Sequence, residues 1–203
     1  MTERCVYIVD DDPAVRDALG LLLGVRGYQT AMFSNAEDCL AAWRPEWEGC
    51  LILDIRMTGM DGLALQKQLL DTGCELPVIV ITGHGDVGLA RDAFRARAVD
   101  FLEKPIDDAK LMAAIADAFD RDDALRAGRA RRETSARLRS KLTAREREVM
   151  DLVLTGKHNR DIAPALGISV RTVEVHKARV MTKLGVDNMA DLIRLGVADS
   201  QEP

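Results

Sequence analysis

The chain has 203 residues, of which 47% are hydrophobic and 30% charged, a balance that excludes a disordered or collagen-like protein. Its longest uninterrupted apolar run, Ala18–Val25, has eight residues and includes two glycines, and a membrane span needs about 20. The net charge of −5 is unevenly spread: residues 1–120 carry 21 acids and 11 bases, and residues 121–203 carry 12 acids and 17 bases.

An acidic front and a basic back predict two domains with different partners, the basic one suited to a polyanion. The start, Met1 to Cys5, leads straight into a strand-like run with no signal-peptide pattern, so the cytoplasm is the expected compartment. Cys5, Cys39, Cys50 and Cys74 are widely spaced, with no Cys-x-x-Cys pair, and are expected to be free thiols.

Along the first 120 residues, short apolar runs alternate with amphipathic ones. Val6–Val9 reads as a continuous apolar strand, and Ala14–Arg26 carries a helical stripe. Gln29–Phe33 is strand-like, and Asn35–Trp43 opens on a capping residue followed by acids. Cys50–Leu53 is a strand, Leu63–Leu70 a helix, and Val78–Ile81 a strand that starts after Pro77. Val87–Arg95 reads as a helix, Val99–Leu102 as a strand and Asp108–Phe119 as a helix. Strands that are apolar at every position are buried on both faces. The prediction is therefore an α/β doubly wound, five-stranded parallel sheet with helices on both sides.

Residues 121–140 are rich in Arg and Ala and read as a linker with possible helical character. From Leu142 the periodicity is helical only. Thr143-x-x-Glu146 is a capping box, Asn159–Leu166 a second helix capped by Asn159 with Gly167 beyond its end, and Ser169–Leu184 a long third helix followed by Gly185. Ala190–Ala198 is a fourth. Pro164, five residues into the second helix, predicts a kink or a shifted start. This is a small all-α helix-turn-helix domain, and the expected boundaries are 1–122, a linker at 123–137, and 138–203.

In an open parallel sheet, ligands bind beyond the carboxyl ends of the strands. Those ends here carry Asp10-Asp11-Asp12, Asp54, Thr82-Gly83 and Glu103-Lys104-Pro105. Several carboxylates, a hydroxyl and a lysine on one rim make a hard-cation site with a phosphate clamp. Mg²⁺ takes oxygen ligands and keeps several waters, so two carboxylates and a carbonyl suffice. An Asp beside it can accept a phosphoryl group as a nucleophile.

This arrangement resembles the receiver (flavodoxin-like) domain of two-component response regulators. The resemblance is carried by Val6–Asp12, by Asp54-Ile55-Arg56-Met57 with Gly62, by Thr82-Gly83 and by Asp100–Pro105. The run Ile81–Val87 looks particularly like the FixJ branch. The resemblance implies Asp54 as phosphoacceptor, and Asp11, Asp54 and the Arg56 carbonyl as direct Mg²⁺ ligands, with Asp10 acting through water. It implies that Thr82 and Lys104 contact phosphoryl oxygens, and that Phe101 turns inward when Thr82 is drawn to them. Asp12 is left to cap the next helix. Thr58 stands where such domains usually carry Pro and implies a less rigid loop; Arg97 stands where many carry Gly. An aspartyl-phosphate phosphohydrolase, the different-class alternative, needs an acid where Arg56 stands.

In the third helix of the basic part, Val173, His176, Val180 and Leu184 share one side and read as core. Arg171, Glu174, Val175, Ala178 and Thr182 face away, flanked by Thr172, Arg179 and Lys183. Basic groups suit phosphates, while Glu174 and Val175 suit base edges. Leu142–Val149, Asn159-x-x-Ile162-Ala163, Val170–His176 and Lys183-Leu184-Gly185 resemble the LuxR/NarL-type DNA-binding domain. Together the resemblances imply a transcription-regulating response regulator rather than a metabolic enzyme, its own catalysis limited to Mg²⁺-dependent self-phosphorylation and dephosphorylation. The implied partners are a sensor histidine kinase, promoter double-stranded DNA, RNA polymerase and, on phosphorylation, a second copy of the chain, with no membrane.

Overall fold

The computed structural model describes residues 4–83, 98–188 and 190–192. The predicted helix Val87–Arg95, His84, Arg97 and the end of the predicted helix Ala190–Ala198 lie outside the described residues. The chain divides into two units, Met1–Leu125 and Arg126–Pro203.

In the first unit the strands are β1 (Cys5–Val9), β2 (Gln29–Phe33), β3 (Gly49–Asp54), β4 (Val78–Thr82) and β5 (Asp100–Glu103). They form one sheet in the order β2-β1-β3-β4-β5, and every pairing is parallel. The helices described are α1 (Pro13–Val25), α2 (Ala36–Ala42), α3 (Gly62–Asp71) and α4 (Asp108–Ser140).

Strand side chains alternate between the two faces. Val6, Ile8, Cys50, Ile52, Ile79, Ile81 and Leu102 pack with Leu19 and Leu23 of α1 and Leu111 and Ile115 of α4. Tyr7, Val9, Leu51, Leu53, Val78 and Val80 pack on the other face with Ala36 and Cys39 of α2 and Leu65 and Leu69 of α3. Both faces of the central strands are covered, which is why β1, β3 and β4 are apolar until their carboxyl ends. Cys39, Cys50 and Cys74 are buried thiols of this core, and burial pushes the Cys39 thiol up to about 12. No helix of the described residues is long and apolar enough to cross a membrane.

Local chemistry sets the helix starts. Asp12 accepts the Ala14 N–H at 2.9 Å and Pro13 opens α1. Asn35 caps α2 through the Asp38 N–H, and Asp61 caps α3 through the Ala64 N–H. Gly62 is required by close approach: a Cβ there would lie 2.2 Å from the Asp54 carbonyl oxygen. The linker expected at 123–137 is helical, within a 33-residue α4, as its Arg- and Ala-rich composition favours. Asp122 of α4 accepts the Gly49 N–H at 3.0 Å.

In the second unit lie α5 (Ala144–Leu154), α6 (Asn159–Ala165) and α7 (Val170–Leu184). Val149, Met150, Val153, Ile162, Val173, Val180, Leu184 and Leu192 build its core. The Thr143/Glu146 capping box is present, Ser169 caps α7 through the Thr172 N–H, and Gly185 ends it at φ 68°. One cap differs from expectation. His158, not Asn159, occupies the cap position of α6, and the Asn159 Oδ1 instead accepts from the Lys177 ammonium at 3.1 Å. The start of α6 is not shifted by Pro164, because the helix ends one residue after it and little of the backbone ladder remains to be lost.

Candidate functional site

Parallel pairing brings the carboxyl ends of β1, β3, β4 and β5 to one rim. Asp10, Asp11 and Asp54 each offer a carboxylate oxygen there, all within 4.8 Å of one another. Asp10 and Asp54 are 2% and 5% exposed, and Asp11 is half-buried. The Lys104 ammonium bridges the two buried carboxylates, 2.7 Å from Asp10 Oδ2 and 3.0 Å from Asp54 Oδ1. Thr82 is fully buried at the end of β4, and its carbonyl accepts the Lys104 N–H at 2.7 Å. Phe101 is half-buried and lies opposite Val80, against the core face that holds Leu53. Arg56 is exposed and lines an open cleft with Asp11, Met57, Thr58 and Asp61.

Burial pushes the Asp54 carboxyl above the ordinary carboxylate value, against the pull of the Lys104 ammonium. Burial also pulls the Lys104 pKa down, but its bonds to Asp10 and Asp54 outweigh this and leave it raised. The Thr58 N–H, and then its hydroxyl, hold the Asp11 carboxyl below its usual value. A buried carboxylate beside a lysine and two further carboxylates is a hard-oxygen donor set suited to Mg²⁺.

Two groups were not assigned to the site from sequence. Arg16 donates to the Asp10 carbonyl at 2.6 Å, one turn along α1. Thr58 gives two hydrogen bonds to Asp11, from its backbone N–H and its hydroxyl. Proline has no N–H to give, so a threonine at this turn was the available signal.

On α7, Val173, Val180 and Leu184 are buried and His176 is half-buried. Arg171, Glu174, Val175, Ala178, Arg179 and Thr182 are exposed, and Thr172 is half-buried beside the Ser169 cap. Lys183 is different in kind: its ammonium lies 2.6 Å from Glu146, whose carboxyl is held down to about 2 by that bond first and by the Thr143 N–H second. The charge expected to meet phosphate is already paired within the fold.

Lys183→Ala is therefore expected to lower the thermal unfolding midpoint while leaving the salt dependence of DNA binding unchanged. The Glu146 pKa is lower in the folded protein than its ordinary value of 4.5, so this stabilisation is complete above about 4.5 and lost as pH falls towards about 2. The gap between wild type and variant should close over that interval, in melts followed by circular dichroism. A constant gap would exclude the ion pair as its source.

Comparison with known proteins gives the same two parts in the same order. Residues 6–116 match the response regulator receiver domain, and residues 140–196 match bacterial regulatory proteins of the luxR family. The transcriptional regulatory protein FixJ of Azorhizobium caulinodans is 42% identical over 199 residues, covering 98% of this chain and 94% of that protein. The C4-dicarboxylate transport transcriptional regulatory protein DctR of Rhodobacter capsulatus is 45% identical over 196 residues, covering 94% and 98%. A solved structure of the response regulator StyR is 38% identical, covers 97% of this chain and 99% of that one, and superposes with a TM-score of 0.83. Matched nearly end to end by such regulators, the chain belongs to the FixJ family of two-component response regulators, with a receiver domain followed by a LuxR-type DNA-binding domain.

Proposed function

We propose that a partner histidine kinase phosphorylates Asp54, and that this controls DNA binding by the exposed face of α7. The observation that carries this reading is the placing of Asp54 Oδ1 3.0 Å from the Lys104 ammonium, in a cluster with Asp10 and Asp11. A carboxylate oxygen of Asp54 attacks the phosphorus of the kinase phosphohistidine. The P–N bond breaks, its electrons return to the imidazole, and an aspartyl phosphate is formed. Asp11, Asp54 and the Arg56 carbonyl are the proposed direct ligands of Mg²⁺, with Asp10 joined through water. Mg²⁺ held there would supply positive charge to the phosphoryl oxygens during transfer. Lys104 provides a second positive charge from the protein. The Thr82 hydroxyl donates to another phosphoryl oxygen, and Phe101 follows Thr82 inward. The only chemistry assigned to the chain is the making and loss of this phosphoryl group.

The proposed division is a receiver over 1–122, a linker over 123–137 and a DNA-binding domain over 138–203. Arg171 and Arg179 contact phosphates, Thr172 and Thr182 flank them, and Glu174, Val175 and Ala178 meet base edges. Lys183 borders this face with its charge committed to Glu146. The phosphorylated form pairs as a homodimer on promoter DNA, meets RNA polymerase there, and works in the cytoplasm.

The test is selection from a random duplex pool by the full-length protein, with and without acetyl phosphate and Mg²⁺. The treated protein is expected to enrich paired half-sites spaced by about one helical turn or a multiple of it. The same enrichment without treatment would overturn phosphorylation control.

A further inference from the structure

The three carboxylates at the rim are not held alike. Asp10 receives the Lys104 ammonium on Oδ2 and the Asp12 N–H on Oδ1, at 2.7 and 2.9 Å. Asp54 receives Lys104 at 3.0 Å. Asp11, the least buried of the three, receives Thr58 twice: the backbone N–H at 2.7 Å and the hydroxyl at 2.8 Å, both on Oδ2. Thr58 stands 47 positions along the chain from Asp11, so this bond crosses from the end of β3 to the end of β1.

The loop that carries Thr58 is itself fixed. The Met60 N–H donates to Glu37 Oε1 at 3.3 Å, and the Gly62 N–H donates to the Ile55 carbonyl at 3.0 Å. Asp61 caps α3, and Gly59 takes φ 84°, a left-handed turn. Crowded carboxylates repel one another. The one with most access to water is the one that would swing away. A two-point bond from a fixed loop opposes that swing and leaves Oδ1 clear of Thr58.

We propose that Thr58 is a positioning residue for the cation: its N–H and hydroxyl together hold the Asp11 carboxylate in the orientation that ligates. This rests on the reading of Asp10, Asp11 and Asp54 as a Mg²⁺ site. It adds a role for a residue outside the ligand set. Thr58 makes no contact with the cation and acts only through Asp11.

The experiment is isothermal titration of full-length protein with Mg²⁺, on wild type, Asp11→Asn, Thr58→Ser, Thr58→Val and Thr58→Pro. Circular dichroism without metal checks that each is folded. Thr58→Val loses the hydroxyl bond alone and is expected to bind Mg²⁺ about threefold to tenfold more weakly, the value of one such hydrogen bond. Thr58→Pro loses both donors and is expected to bind more weakly still. Thr58→Ser restores both donors and is expected to stay within about twofold of wild type. A side chain that only packs the loop would not be rescued in this way. Should proline distort the turn, the Val and Ser pair decides the matter.

Wild-type affinity in Thr58→Val, with affinity lost in Asp11→Asn, overturns the role of Thr58 and leaves the metal site standing. Tighter binding in Thr58→Val also overturns it, since Thr58 would then compete with the cation. Failure of wild type to take up Mg²⁺ overturns the metal site and this proposal together.

Discussion

Incubated with acetyl phosphate and Mg²⁺, the wild-type protein is expected to gain the mass of one phosphoryl group, and Asp54→Asn none. Asp54 is the buried carboxylate at the end of β3, and its Oδ1 lies 3.0 Å from Lys104. Asn keeps its shape and volume but has no carboxylate oxygen with which to form an acyl phosphate. Asp10 is equally buried, but both of its oxygens are taken, by Lys104 and by the Asp12 N–H. Asp11 is held by Thr58. The effect is all or none because it removes the acceptor rather than weakening a contact. Intact-protein mass spectrometry reads it directly, and an equal mass gain in Asp54→Asn would move the acceptor elsewhere.

The second large effect is on α7. Arg171 is exposed in its first turn, and Glu174 and Val175 are exposed on the same outward side. Arg171→Ala is expected to weaken binding to every duplex and to lower the slope of log affinity against log salt by about 1. Glu174→Ala is expected to cost about 1–3 kcal/mol on the preferred site and little on random DNA. Fluorescence anisotropy over a series of salt concentrations separates the two. Equal weakening of preferred and random duplexes by Glu174→Ala would mean that this face does not lie against base edges.

Much of this fold was legible in the sequence because its determinants are local. The apolar runs at 6–9, 50–53 and 78–81 coincide with buried strands, and the alternation of Leu51 and Leu53 against Cys50 and Ile52 assigns each face. Asp12, Thr143 and Ser169 cap helices through bonds that span only two or three residues. The rim was legible because polar groups end otherwise apolar strands.

What escaped depends on pairings across the fold. The Lys183–Glu146 bond joins residues 37 apart, and Thr58–Asp11 joins residues 47 apart. Neither spacing is a helical or strand period, so no pattern marks it. The displaced cap at His158 is a one-residue boundary, decided by side-chain competition: Lys177 draws the Asn159 oxygen that would otherwise have capped α6.

The lysine at the end of β5 bears on how like charges are kept together at the rim. Each of three carboxylates within 4.8 Å of one another disfavours the charge of the others. The ammonium of Lys104 is an internal counter-ion, delivered by the chain itself and anchored by its backbone bond to Thr82. It offsets, from within the chain, part of the charge of Asp10 and Asp54. Any cation that joins this rim therefore meets carboxylates whose charge is already offset in part by the chain itself.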